Sequence, residues 1–299
     1  DLLYMAATDY KEPINFEEFL KYRFGQTLYE KYFKPYNEKV WRKDLKKVPL
    51  SWLEGKLPMP TLEEIIYNNF KNEKETNMVH STFFYPKNNG SQFIVNRLAE
   101  GLNVNCNTEI KNIGRNNETG QWILNGEFVF DKIVFATNVK YLNKILKLDI
   151  LDSFKEKIEA LEYHGTTTVL CEVETNPYSW IYLPDERHNS HRIINTGNFA
   201  ESNNKKGVKS ATLEFTGFIN KEDILENLKL IPYAPKYITH KYTKYTYPVQ
   251  DSKTRVLIND VKDILEKDNI FLLGRFAEWE YYNMDAAIGA GMDLAKKIQ

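Results

Sequence analysis

A chain of 299 residues with 40 basic against 41 acidic side chains, hence a net charge of -1, has no global field to attract nucleic acid or an anionic membrane. Its 42% hydrophobic, 14% aromatic and 27% charged content is that of a globular protein, long enough for two intertwined lobes or one large α/β unit. Two distant cysteines, Cys106 and Cys171, in strand-like contexts, no apolar run of membrane-span length and no signal-peptide pattern lead us to expect a soluble protein of a reducing, cytoplasmic compartment.

The predicted elements begin with a helical region from Asn15 to Val40. There Phe16, Phe19, Leu20, Phe24, Leu28, Tyr32 and Phe33 fall at helical spacings and Asn15 serves as N-cap. Pro49, Pro58 and Pro60 then impose an extended connection, and Thr61 caps a helix that carries Glu63 and Glu64 in its first turn. "STFFYPKNNGSQFIVNRLAEGLNVNCNTEIKNI" reads as strand, turn at Asn88-Asn89-Gly90, helix, strand. "NETGQWILNGEFVFDKIVFATNV" reads as a hairpin region with turns at Thr119-Gly120 and Asn125-Gly126, then a short buried strand from Ile133 to Ala136.

Strands dominate from Thr166 to Tyr247: "TTTVLCEVET", "SWIYLPD", "HRIINTGNF", "SATLEFTGF" and "YITHKYTKYTYP", interrupted by the helix "KEDILENLKLI". An antiparallel sheet with one working face is expected. "TRVLINDVKDILEKDNIFLLGRF" returns to helix and buried strand before a last helix. The chain therefore leaves an α/β region for a sheet region and comes back, so that two lobes with a cleft between them follow. His188 and His191 flank a turn and are expected at the surface, and the five histidines lack metal-ligand spacing.

The closing stretch, "NIFLLGRFAEWEYYNMDAAIGAGMDLAKKIQ", carries the chemistry. Gly274 follows an apolar strand where something must approach the backbone, and Asp285 can cap a helix made of Ala286, Ala287, Gly289, Ala290 and Gly291. Glycine inside a helix costs about 1 kcal/mol relative to alanine. Its repeated use asks either for close helix-to-strand packing or for a ligand at the helix N-terminus, a phosphate or the electron-rich edge of a reduced flavin.

This arrangement resembles the C-terminal flavin motif of UDP-galactopyranose mutases of the eukaryotic type, within the FAD superfamily that includes amine and protoporphyrinogen oxidases. "FKPYNEKVW", "SWLEGKLPMPTLEEII", "TFFYPKNNGSQFIVNRLAEGL", "SWIYLPDERHNSHRIINTGNF", "YTYPVQ" and "GRFAEWEYYNMD" stand in the family's order. The family opens on a strand, Gly-rich turn and helix that bind the adenosine diphosphate half of FAD. No G-x-G-x-x-G occurs here, and the chain starts without Met, so it resembles the family from about its second third onward.

The resemblance implies a mixed α/β (α+β) fold: a partial three-layer FAD-binding domain lacking its first βαβ, a helical segment and an antiparallel-sheet substrate domain. The implied bounds are 1–77 for the helical substrate-side segment and linker, 78–150 and 251–299 for the flavin domain, and 151–250 for the substrate domain. The implied reaction interconverts UDP-galactopyranose and UDP-galactofuranose without net redox change, through a sugar adduct at N5 of reduced FAD, with NADPH as reductant.

Arg192 resembles the family arginine that clamps the UDP diphosphate, and Lys56 holds the position of a second arginine, keeping its charge and losing its fork. Tyr182, Tyr247 and Tyr281 match hydroxyl donors to the diphosphate, where buried aromatic packing is the competing reading. Trp180 and Trp41 match aromatics of the sugar and nucleotide region, and Asn37 a polar neighbour. His80 stands where the family has an asparagine beside sugar and flavin, Arg275 matches a flavin-contacting arginine, and Asn283, Met284 and Asp285 lie near the flavin ring. An amine- or protoporphyrinogen-oxidase-like flavoenzyme and a non-catalytic nucleotide-sugar-binding module are the alternatives. Oligomeric state stays open.

Overall fold

The computed structural model describes residues 12–48, 50, 61–71, 82–146 and 148–299. Lys56 and His80 lie outside the described residues, as do Pro49, Pro58 and Pro60 of the expected extended connection. By their contacts, residues up to Leu102 and from His164 to Lys244 form one compact unit, and Asn103–Tyr163 with Tyr245–Gln299 form a second. The bounds read from the resemblance fell at 77, 150 and 250; two of the contact boundaries, 163/164 and 244/245, fall inside strands, and the third, 102/103, falls in an irregular stretch.

In the first unit the helical region is broken rather than continuous. Helix Phe16–Phe24 starts as expected, with Asn15 Oδ1 accepting from Glu18 N at 2.9 Å, and it ends at Gly25, whose φ of 83° no helix tolerates. After Gln26–Leu28 the chain winds as a π-helix over Tyr29–Phe33 before the α-helix Lys34–Trp41. Pro35 has no N–H and its ring would meet the carbonyl four residues back. The wider π turn just before it relieves that conflict. Helix Leu62–Lys71 has the expected cap, Thr61 Oγ1 accepting from Glu64 N at 3.2 Å while Glu64 reaches back to Thr61 N.

The sheet of this unit consists of β5 (Tyr163–Val173), β6 (Trp180–Tyr182), β7 (Ser190–Ile194), β8 (Lys209–Thr216) and β9 (Lys236–Pro248), in the order β6-β7-β8-β5-β9. The ladders β6-β7, β7-β8 and β8-β5 are antiparallel. Val169, Cys171, Val173, Ile193, Ala211, Leu213 and Phe215 alternate onto one face, where Ile224 and Leu228 of helix Lys221–Leu228 close a core. The opposite parity mixes polar with apolar side chains, Arg192, Thr212 and Glu214 beside Leu170, Trp180 and Ile194.

The second unit holds β1 (Ile113–Arg115), β2 (Trp122–Leu124) and β3 (Phe128–Phe130), an antiparallel meander turning where the Gly pairs predict. It also holds the parallel pair β4 (Ile133–Phe135) and β10 (Ile270–Leu272). Helix Ser252–Glu266 buries Leu257, Ile258, Val261 and Leu265 in the same core as Trp122, Leu272 and Trp279. No described helix is long and apolar enough to cross a membrane.

Two expected strands are irregular instead. Residues 82–86 form no strand; Phe83 and Tyr85 lay their rings on Trp180 and Phe199. Residues 103–112 likewise stay irregular, because the Asn125 side chain takes the place of a strand partner, accepting from Lys111 N at 2.8 Å and donating to Glu109 O at 2.8 Å. Cys106 is therefore in an exposed turn, whereas Cys171 is buried in β5 as its context implies.

Candidate functional site

In the first unit, the register of β6 and β7 sets Tyr182 opposite Arg192 and Trp180 opposite Ile194. Because side chains alternate along a strand, these residues share the face turned away from the apolar core, and Glu214 and Thr212 of β8 continue it. The hairpin thus brings together three residues that the sequence singled out, Trp180, Tyr182 and Arg192.

Glu214 is the residue that sequence reading missed. Arg192 Nε donates to Glu214 Oε2 at 2.6 Å, and His191 Nε2 lies 3.4 Å from the same oxygen. One strand can offer two consecutive residues to one partner because the β7-β8 register shifts between Ser190 and Arg192, leaving His191 as the extra residue of a bulge. Burial alone raises the Glu214 carboxyl, yet the His191 hydrogen bond and the Arg192 charge outweigh it and hold it down to about 2. The signal was available: Ser210, Thr212 and Glu214 alternate with Ala211, Leu213 and Phe215, and an acid on such a face invites a cationic partner across the ladder.

The histidines correct the surface expectation. His188 is 2% and His191 5% exposed, and the Nδ1 atoms of both are buried without a hydrogen-bond partner. Desolvation lowers both pKa values below the ordinary 6.5. Between them lies Lys39 of helix Lys34–Trp41, whose ammonium donates to the carbonyls of Leu183 at 2.9 Å, Ser190 at 3.2 Å and Asp185. Burial pushes that ammonium down to about 8, so it keeps its charge at neutral pH. Lys39 thereby ties the helix to the loop that joins β6 and β7.

The same helix supplies Tyr36, which meets Tyr182 edge-on at 5.4 Å and His191 at 6.5 Å and stacks on Tyr32 at 5.9 Å. Asn37 is buried and turns its amide back to Phe33 O at 2.7 Å. Trp41, 6% exposed, packs edge-on against His164 at 6.1 Å. Trp180 belongs to an aromatic cluster with Phe83 at 4.9 Å and Phe199 at 5.1 Å.

The second unit carries the other predicted residues. Tyr247 and Tyr281 stack at 5.5 Å and 11°. The Arg275 guanidinium lies 5.7 Å and 5.1 Å from their ring centres. Its Nη1 donates to Thr246 O at 3.0 Å, its Nε to Tyr282 O at 2.8 Å, and its Nη2 also to Tyr282 O. Gly274 has φ 95°, and its N–H donates to Glu278 Oε2 at 2.9 Å, the carboxylate that also meets Lys262.

The cap of the last helix, Met284–Ile298, is a correction. Asn283, not Asp285, is the N-cap residue, no side chain closes that end, and Asp285 lies in the first turn, where its charge favours the helix dipole. A Cβ built on Gly274 or Gly289 would meet nothing within 4 Å, so internal crowding does not explain these glycines. Small residues, an end without a side-chain cap and open space beside Gly274 fit a flat, electron-rich ring such as a flavin.

The same fold is found in solved structures. A reduced UDP-galactopyranose mutase superposes with a TM-score of 0.85 at 20% identity, covering 99% of this chain and 69% of its own. A putative protoporphyrinogen oxidase from Exiguobacterium sp. 255-15 gives 0.63 at 13%, covering 100% and 70%. A CLA-producing fatty acid isomerase from P. acnes gives 0.61 at 15%, covering 95% and 66%. No family model and no curated protein matches the chain. At these identities the shared property is the fold, a mixed α/β architecture matching part of the mutase chain.

Proposed function

We propose that this chain works as a flavin-dependent UDP-sugar mutase that interconverts UDP-galactopyranose and UDP-galactofuranose. The observation that carries the reading is the working face of the β6-β7 hairpin, where Arg192, Tyr182 and Trp180 stand together beside helix Lys34–Trp41. Neighbourhood to a mutase fold at a TM-score of 0.85 supports it.

Each residue then has a role that its chemistry allows. Arg192 meets the diphosphate and steadies the charge of departing UDP. Lys56 adds a second cation, and Tyr182, Tyr247 and Tyr281 donate hydroxyls. Trp180, Trp41 and Asn37 line the nucleotide and sugar, with His80 beside the sugar. Gly274, Arg275, Asn283, Met284 and Asp285 border the flavin ring. FAD, brought once to its reduced form by NADPH, would supply the nucleophile and be returned unchanged at the end of each turnover, so that no net redox change results. The protein's own task is to bind, orient and shield.

The test is to reduce the flavin of the intact protein with dithionite under nitrogen, add UDP-galactopyranose and separate the UDP-sugars. Isomer formed with reduced but not oxidised flavin is the expected result, and Arg192→Ala should weaken UDP binding at least tenfold. A yellow protein that an amine bleaches, that oxygen then turns yellow again, and that ignores UDP would instead be an oxidase.

A further inference from the structure

We propose that Glu214 is a positioning residue that aims Arg192 at the diphosphate of the nucleotide sugar, with the β7 bulge as the backbone device that makes this possible. The inference rests on the diphosphate-binding role proposed for Arg192 and goes beyond it by naming what holds the guanidinium.

Three observations carry it. The carboxylate takes Arg192 Nε at 2.6 Å, a short charge-assisted contact that restrains where the guanidinium can lie. Glu214 is itself largely buried, with 13% of its side chain exposed against 24% for Arg192, so the anchored end of the pair is the acid and the more accessible end is the base. The bulge also sets His191 Nε2, on a ring only 5% exposed, 3.4 Å from the same carboxylate oxygen, so the acid has a second buried neighbour. A long arginine on an open strand would sample many rotamers; one held at Nε by a buried carboxylate keeps its guanidinium near one orientation.

UDP affinity of the intact protein, measured by calorimetric titration, tests this in a double-mutant cycle. Glu214→Ala should weaken UDP about tenfold, while Glu214→Gln, which still accepts from Nε through its amide oxygen, should stay within about threefold of the parent, a difference of roughly 1.4 kcal/mol per tenfold. In an Arg192→Ala background, Glu214→Ala should have no further effect. Equal losses with and without Arg192 would mean that Glu214 merely supports the sheet, and tighter UDP binding in both Glu214 variants would mean that it only masks charge; either overturns the proposal. Unchanged UDP affinity in Arg192→Ala alone would remove the diphosphate clamp as well, and so distinguishes failure of the earlier reading from failure of this one. Glu214→Met, close in size but without an acceptor for Nε, supplies the same arm of the cycle if the alanine variant misfolds.

Discussion

Individual residues here behave according to what they touch rather than by type. His188 and His191 are polar, flank a loop and would ordinarily be exposed, yet both are buried and neutral because desolvation opposes the imidazolium. A pKa lowered on folding stabilises the protein above the ordinary value of 6.5 and withdraws that stability as pH falls below it, since the unfolded chain then binds more protons. The urea midpoint should therefore fall between pH 7 and pH 5, and His188→Gln with His191→Gln should flatten that dependence; a wild-type midpoint that holds steady would show that the rings are not buried neutral. Glu214 has the same sign of linkage at a lower window, losing its contribution as pH falls from the ordinary 4.5 toward about 2. Arg192 was legible because it sits in a recognisable string, "SHRIINTGNF". Glu214 was legible only as an acid on the polar side of an alternating strand; that its partner is Arg192, and that His191 turns inward beside it, depends on register and a bulge between segments distant in sequence.

At the scale of elements, local patterns set the type of each piece and tertiary contacts set its limits. Asn15 and Thr61 capped their helices as their side-chain chemistry requires, and the strands of the sheet followed their alternation. Gly25 and Pro35 cut one long periodic stretch into α, π and α segments. Lys39 joins the last of these to the β6-β7 loop by donating to three carbonyls. Lys39→Met should thus cost about 2–4 kcal/mol in urea unfolding, more than its partly exposed position implies, because buried acceptors lose their partner. A loss under about 0.5 kcal/mol would mean that water replaces the ammonium at those carbonyls. The failed strands at 82–86 and 103–112 teach the converse: β-prone composition forms a strand only when a ladder partner is within reach, and here aromatic stacking and the Asn125 side chain satisfied those segments instead.

For the whole molecule, the consequence lies in connectivity. β4 pairs with β10 although all of β5 to β9 lies between them in sequence, so the second unit cannot complete its core until the C-terminal segment is made. A chain ended at Asp268 would lack Ile270, Leu272, Ala277 and Trp279, all within that core, and should be recovered unfolded or aggregated; a truncated chain with a cooperative thermal transition of native size would contradict this. Composition, capping and alternation, which are local or pairwise along the chain, determined by themselves the mixed α/β class, most helices and the sheet strands, while the candidate residues were named from the resemblance of short strings to a known family. Only the tertiary structure decided which of them meet: the side-by-side placement of Trp180, Tyr182 and Arg192, the carboxylate behind that arginine, the cap at Asn283 and the burial of the two histidines. Those outcomes turn on register, bulges and desolvation, which are properties of segments brought together by folding and are written in no single stretch of sequence.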